Sequence, residues 1–286
     1  MCRFVIYKGR ELLMADLLTR PKHSLIKQSY DARERREPLN GDGFGVGWYA
    51  PEIDPTPCVF TSVTPAWSNR NLHRLAEKIT SPCIFAHVRA ASPGMVVSEI
   101  NCHPFQDGRF LWMHNGGVPQ FDKIKRRLRA SLKDDLYNLI QGTTDSEHAF
   151  AVFLNQLPEH LRDYSLDVLA QTMKATIQQL NAWCEEAGIT EPSYYNFAVT
   201  DGQRVLATRY VSDPTRDPAS LYYSYGTKYE CRNGVCRMVQ AEEHERAVII
   251  ASEPLTDVNE DWRPVLKNHL LLVTPELRVE FLSIEW

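Results

Sequence analysis

Short runs in which apolar and polar positions alternate recur along the chain, interrupted by apolar stripes at helical spacing. Phe4 to Tyr7 is an apolar run of strand length, and Leu12 to Leu18 reads as a turn or two of helix stopped by Pro21. A glycine-dense turn, Asn40-Gly41-Asp42-Gly43, opens into Phe44-Gly45-Val46-Gly47-Trp48-Tyr49, a strand whose alternate glycines admit a close backbone approach. Glycines there are costly in conformational entropy unless something must pack against them. Further strands are predicted at Cys58 to Val63, Cys83 to Arg89 and Arg109 to His114. Amphipathic helices are predicted around Asn71 to Lys78 and Phe121 to Leu132, and another from Asp145 through Phe153.

Tyr164 to Ala187 carries Leu166, Leu169, Met173, Ile177, Leu180 and Trp183 at three- and four-residue spacing, one apolar helix face. Strands return at Tyr195 to Thr200, Arg204 to Tyr210, Ala247 to Ala251, Leu270 to Val273 and Leu277 to Leu282. Helices thus sit between two groups of strands without the regular strand-helix alternation of a doubly wound sheet. The expected fold class is α+β, two packed sheets covered by helices. No repeat or low-complexity linker divides the chain, so residues 2–286 are expected to form one domain, with Asp213 to Pro218 a polar loop.

Composition narrows the functional classes. A chain of 286 residues with 43% hydrophobic and 24% charged positions has ample sequence for a core and needs neither disulfides nor metal to fold. Its net charge of −4 offers no electrostatic footprint for nucleic acid. No stretch is apolar for the ~18 residues of a membrane span, and Lys8, Arg10 and Glu11 cut short any signal-peptide core. The seven cysteines, at 2, 58, 83, 102, 184, 231 and 236, are odd in number and contain no CxxC pair. They read as reduced thiols of a cytoplasmic protein. A zinc site from Cys231, Cys236 and a histidine lacks the usual ligand spacing, so neither metal nor cofactor is expected.

Position 2 carries the first chemical signal. Removal of Met1 leaves Cys2 with a thiol and an α-amine on one residue, and an amine of reference pKa ~7.7–8.0 is suited to relay the thiol's proton. Taken alone, Cys2 also fits a small apolar residue opening a strand. Arg89 ends the apolar strand of Ala86-His87-Val88-Arg89-Ala90-Ala91-Ser92, where a guanidinium needs a partner. Either a structural ion pair or the α-carboxylate of a substrate supplies one. Phe110 to Gly117 is a strand ending in Asn115-Gly116, most often a hairpin turn. Alternatively, the Asn115 amide and the Gly116 N–H converge on an oxyanion, a contribution of ~3 kcal/mol per donor.

Gly142-Thr143-Thr144-Asp145-Ser146-Glu147 is a helix start with Asp145 as candidate cap. A carboxylate there also suits a substrate α-ammonium. Cys102 and His103 cannot act as a papain-like pair, because neighbours on an extended segment point to opposite faces; His103 is expected to shape the pocket wall. The basic run Lys123, Lys125, Arg126, Arg127 and Arg129 is expected to be a solvated helix face.

Together these residues resemble class II glutamine amidotransferases. The resemblance rests on Met1-Cys2-Arg3, Asn40-Gly41-Asp42-Gly43-Phe44-Gly45, Ala86-His87-Val88-Arg89, Asn101-Cys102-His103-Pro104-Phe105, His114-Asn115-Gly116 and Thr144-Asp145-Ser146-Glu147, all in order. It continues through Phe197 to Gly202 and Ala251-Ser252-Glu253-Pro254-Leu255-Thr256. Thr64-Pro65-Ala66-Trp67 and the stretch from Gly226 point to the stand-alone branch with the ergothioneine-pathway γ-glutamyl hydrolase and the amidotransferase-like subunit of the fungal glutathione-degrading complex. The resemblance implies a four-layer αββα sandwich of the N-terminal-nucleophile hydrolase type, with Cys2 as nucleophile and Asn115 and Gly116 as oxyanion hole. Arg89 and Asp145 would hold the γ-glutamyl head, with His103 and Ser92 placed in the same substrate-binding group. It further implies a small γ-glutamyl substrate, glutathione or a relative, and a metallopeptidase-like partner subunit. Ala90 departs from the tryptophan that follows the arginine in glucosamine-synthesising members, which argues against their sugar-phosphate acceptor. The alternatives are a glutaminase subunit donating ammonia to a partner synthase and a non-catalytic regulatory subunit.

Overall fold

The computed structural model describes residues 2–34, 37–91, 94, 96–159, 163–232, 235–239 and 245–285. Two antiparallel sheets lie face to face. Seven strands of the first run in spatial order β10 (Val235–Val239), β9 (Tyr222–Arg232), β11 (Ala247–Ala251), β1 (Arg3–Leu13), β4 (Thr80–Val88), β2 (Phe44–Ala50) and β3 (Asp54–Ser62); β12 (Arg263–Pro264) pairs with β9. The second runs β14 (Val279–Ser283), β13 (His269–Val273), β8 (Val205–Val211), β7 (Tyr194–Thr200), β6 (Phe110–Gly117) and β5 (Phe105–Asp107). The N-terminal strand is therefore interior to its sheet, hydrogen-bonded on both edges by β4 and β11.

Strand alternation sorts the side chains into layers. Phe4 and Ile6 of β1, Phe85 of β4 and Leu111 and Met113 of β6 fill the space between the sheets. Val5 and Tyr7 turn the other way, onto α1 (Met14–Leu18), α2 (Leu25–Gln28) and α3 (Arg70–Ala76), which contribute Leu17, Leu25 and Leu72. On the far side, Trp112 packs with Phe150 and Met173 under α4 (Asp122–Ala130), α6 (Asp145–Gln156) and α7 (Leu166–Glu186), with Leu136 of α5 (Asp134–Leu139) at the margin. Helices, sheet, sheet and helices make the four layers expected, and α7 buries the face formed by Leu169, Met173, Ile177 and Leu180.

The alternate glycines of β2 serve the close approach anticipated for them. Gly45 lies opposite His87 in the ladder, and a Cβ on it would stand 2.1 Å from the His103 carbonyl oxygen. A Cβ on Gly47 would meet Leu111 Cδ1 of the facing sheet at 2.6 Å. Backbone and sheet thus come nearer than any side chain allows.

Several local expectations are corrected. Asn115 and Gly116 do not turn: β6 continues through Gly117, with Asn115 opposite Asn196 and Gly116 opposite Tyr195. Glycine is needed there for proximity, since a Cβ on Gly116 would lie 1.9 Å from the Tyr194 carbonyl oxygen. The cap of α6 is Thr144, whose hydroxyl accepts the Glu147 N–H, and Asp145 is the first helical residue. Cys231 and Cys236 face each other across β9 and β10 and form a disulfide, so these two are not the reduced thiols expected; Cys2, Cys58, Cys83, Cys102 and Cys184 are free. Strands β9 and β10 escaped sequence reading because Tyr222 to Gly226 lacks a clean period of two and its pairing with β11 slips between Ala247 and Val248. Among the described residues no helix is long and apolar enough to cross a membrane, and no group of three or more His, Cys, Asp or Glu is placed to hold a metal ion.

The glycine contacts predict a ranking. Gly45→Ala meets main chain and should destabilise by about 1–3 kcal/mol, whereas Gly47→Ala meets mainly the end of a leucine and should cost less. Urea unfolding of both variants checks this; equal losses, or a larger loss at Gly47, would contradict it.

Candidate active site

Three of the sequence-derived residues share the inner faces of the sheets because their strands alternate in phase. Cys2 precedes β1 with the parity of Phe4 and Ile6, Arg89 follows β4 with that of Phe85 and His87, and Asn115 has that of Leu111 and Met113. All three therefore lie on inner faces, at one end of the sandwich. The two sheets are tied just below by His87, whose Nε2–H donates to the His114 carbonyl at 3.2 Å. Two residues further along each strand come Arg89 and Gly116.

Cys2 is half-buried, and its sulfur sits against the backbone of Ala90, 3.4 Å from the N–H and 3.7 Å from the carbonyl. That stretch is fixed by Asp42, whose carboxylate accepts the Ala91 N–H at 2.8 Å, and by the Arg89 N–H, which donates to Gly43 at 2.8 Å. Arg89 is only 3% exposed. Its Nη2 donates to the Val96 carbonyl at 3.2 Å, and Nη1 has no hydrogen-bond partner among the described residues. Asn115 is fully buried, and neither its amide nitrogen nor its oxygen has a partner among them. Buried polar atoms are rarely left this way, and a cluster of them marks a place for a polar ligand.

Asp145 starts α6 beside the end of β6, where a Cβ on Gly117 would stand 3.7 Å from its Oδ2. Its Oδ2 accepts the Val118 N–H at 2.7 Å, and its Oδ1 lies 3.3 Å from the Ser146 hydroxyl, which also meets His114 Nδ1 at 2.9 Å. Asp145, Gly116 and Gly117 line a cavity of about 520 Å³ with Val96, Thr143 and Lys125. Lys125 is thus partly turned to this cavity, while Arg127 of the same basic run pairs with Glu186 and Lys123 and Arg126 are solvated as expected. His103 is 3% exposed and packs behind the site, its ring 4.2 Å from that of His87 and 4.6 Å from that of Phe105. Burial holds His87 down at about 3 and His103 well below the ordinary histidine range, so both are neutral imidazoles. Cys102 turns away from His103 toward the carbonyls of Ser62 and Ser98, and burial pushes its thiol up to about 11. Ser92 and Met1 lie outside the described residues.

Three groups that sequence reading did not single out support this arrangement. Asn101 donates to the Val96 carbonyl and accepts the Thr143 N–H, joining two cavity walls. Ser146 links Asp145 to His114. Glu253, at the end of β11, accepts from Arg3 Nε at 2.6 Å, His23 Nε2 at 2.6 Å, the Arg33 N–H at 2.8 Å and the Glu34 N–H at 3.1 Å. Arg3 is adjacent to Cys2 and Glu253 stands in a motif already noticed, but nothing in linear sequence pairs residues this distant.

Burial by itself would raise the Glu253 carboxyl; the His23 hydrogen bond, the Arg33 N–H, the Arg3 guanidinium and the Glu34 N–H outweigh it and hold it at about 2. A carboxyl depressed from 4.5 in this way stabilises the fold fully above that value, and the contribution is lost as pH falls toward 2. Denaturant unfolding of the protein and of Glu253→Gln should therefore show a stability gap that is constant near neutrality and narrows below pH 4.5. A gap unchanged down to about pH 2 would contradict this assignment.

With the geometry in place, comparison with known proteins gives consistent results. The family profile for class-II glutamine amidotransferases matches residues 13–276. The chain is 44% identical over 292 aligned positions to the probable glutamine amidotransferase DUG3 of Saccharomyces cerevisiae, covering 96% of this chain and 82% of that protein. It is 29% identical over 210 positions to the gamma-glutamyl-hercynylcysteine sulfoxide hydrolase of Mycolicibacterium smegmatis, covering 73% and 78% respectively. The solved structure of a class-II glutamine aminotransferase domain protein from Silicibacter pomeroyi superposes with a TM-score of 0.67 at 23% identity, over 99% of both chains. The two facing sheets and their helices are the αββα sandwich of the N-terminal-nucleophile hydrolases. The chain belongs to the class-II glutamine amidotransferases and is a hydrolase of that family.

Proposed function

We propose that this protein hydrolyses γ-glutamyl amide bonds through a γ-glutamyl thioester on Cys2, and that its substrate is glutathione or a related γ-glutamyl compound. The observation that carries this reading is that Cys2, Arg89 and Asn115 share the inner strand faces at one end of the sandwich, where Arg89 Nη1 and the Asn115 amide are buried without partners among the described residues. Arg89 offers a planar fork to the substrate's α-carboxylate, and the Asp145 carboxylate takes its α-ammonium. The Asn115 amide nitrogen and the Gly116 N–H receive the carbonyl oxygen as it gains charge.

In this scheme Met1 is removed and the α-amine of Cys2 takes the thiol's proton. The sulfur bonds to the γ-carbonyl carbon, and collapse of the tetrahedral intermediate breaks the carbon–nitrogen bond as the proton passes to the departing amine. Water then adds to the thioester carbon, glutamate leaves and the thiol is restored. The relatives support the substrate class: one is named for hydrolysis of a sulfur-bearing γ-glutamyl compound. A metallopeptidase-like partner subunit and a cytoplasmic setting complete the proposal.

The test compares glutamate release from glutathione and from glutamine, with and without co-expressed partner candidates. Glutathione should be the better substrate and Cys2→Ala should abolish release. Faster hydrolysis of glutamine in every combination would instead assign the chain as an ammonia-donating glutaminase. Arg89→Lys should raise KM about tenfold or more, because a point charge cannot replace a bidentate fork. An unchanged KM would remove Arg89 from the carboxylate.

A further inference from the structure

We propose that Glu253 is a positioning residue for the nucleophile, which acts through Arg3 to set the main chain of Cys2. The inference rests on the reading of Cys2 as nucleophile. Alternation turns Arg3 with Val5 and Tyr7 to the outer face of the first sheet, opposite the face on which the Cys2 sulfur lies. The clamp therefore grips residue 2 from behind, without reaching the substrate cavity.

Its contacts reach the main chain of residues 2 and 4 and the side chain of residue 3. The Arg3 guanidinium presents Nε to Glu253 Oε1, Nη1 to the Cys2 carbonyl at 3.0 Å and Nη2 to the Glu34 carbonyl at 3.1 Å. The planar fork thus transmits the carboxylate's position to the peptide unit of Cys2. Ser252, the neighbour of Glu253, accepts the Phe4 N–H on its hydroxyl at 3.0 Å and returns its own N–H to the Phe4 carbonyl at 3.0 Å. One two-residue unit at the end of β11 so holds residues 2, 3 and 4. Arg3, His23 and Glu253 are each no more than 2% exposed, and the carboxylate is saturated by four donors. A buried ion pair adds little net stability over an apolar replacement of the same shape, so its location directly behind the thiol points to orientation as its use. The first residues of a chain are ordinarily mobile unless tied down, and a nucleophile placed there requires such a tie.

Steady-state kinetics of Glu253→Gln, which keeps the shape and removes the charge, test this. The expected result is a fall in kcat of about 10–100-fold with KM within about twofold, since Arg89 and Asp145 stand on other elements. Affinity for the product L-glutamate should also stay within about twofold, reporting an intact substrate pocket. Arg3→Lys should give the same split, and it decides the matter should Glu253→Gln fail to fold. An unchanged kcat, or kcat and glutamate affinity falling together, overturns the proposal. The reading beneath it fails separately: turnover surviving in Cys2→Ala removes the nucleophile, whereas a dead Cys2→Ala beside a fully active Glu253→Gln removes only the positioning role.

Discussion

Two antiparallel sheets can place catalytic groups between them only where their inner faces remain in phase, and that constraint organises this molecule. Each inner residue of β1, β4 and β6 is followed two positions later by another, so the apolar series Phe4, Phe85 and Met113 runs on at one end into Cys2, Arg89 and Asn115. The site is the continuation of the core. Packing that fixes the register of the sandwich also fixes the placement of these three candidate groups, because a slip of one residue would send each of them to the opposite face. Gly45 and Gly47 belong to the same constraint, since side chains there would hold the His103 segment and the second sheet away from the first.

Polar satisfaction is divided unevenly across that end of the sandwich. Behind the sheet, Glu253, Arg3 and His23 form a buried cluster in which both carboxylate oxygens are saturated. Between the sheets, Arg89 and Asn115 carry buried atoms without partners among the described residues. Saturated groups rigidify, and unsatisfied ones in a low dielectric gain most from a ligand. The support behind Cys2 and the proposed substrate seat are thus built on opposite principles.

Much of this was legible in sequence. Periodicity located both sheets' central strands and the long helix from Leu166 to Glu186, because their burial is one-sided and regular. The candidate residues were legible as motifs in order, each backed by a chemical reason. What escaped depends on three-dimensional pairing. Asn115-Gly116 looked like a turn, but the partner strand β7 keeps it extended. Cys231 and Cys236 looked unpaired, although a hairpin opposes them. Glu253 and Arg3 are 250 positions apart, and only the antiparallel neighbours β1 and β11 bring them together.

The covalent intermediate is the most direct test of the central claim. Enzyme mixed with excess glutathione or glutamine and quenched in acid within the first turnover should be examined by intact mass, followed by peptide mapping. The account predicts an N-terminus that begins at Cys2 and a mass gain of one γ-glutamyl acyl group, located on the Cys2 peptide and lost on mild treatment with hydroxylamine. An active enzyme that retains Met1, or an acyl group found on any other residue, would contradict it.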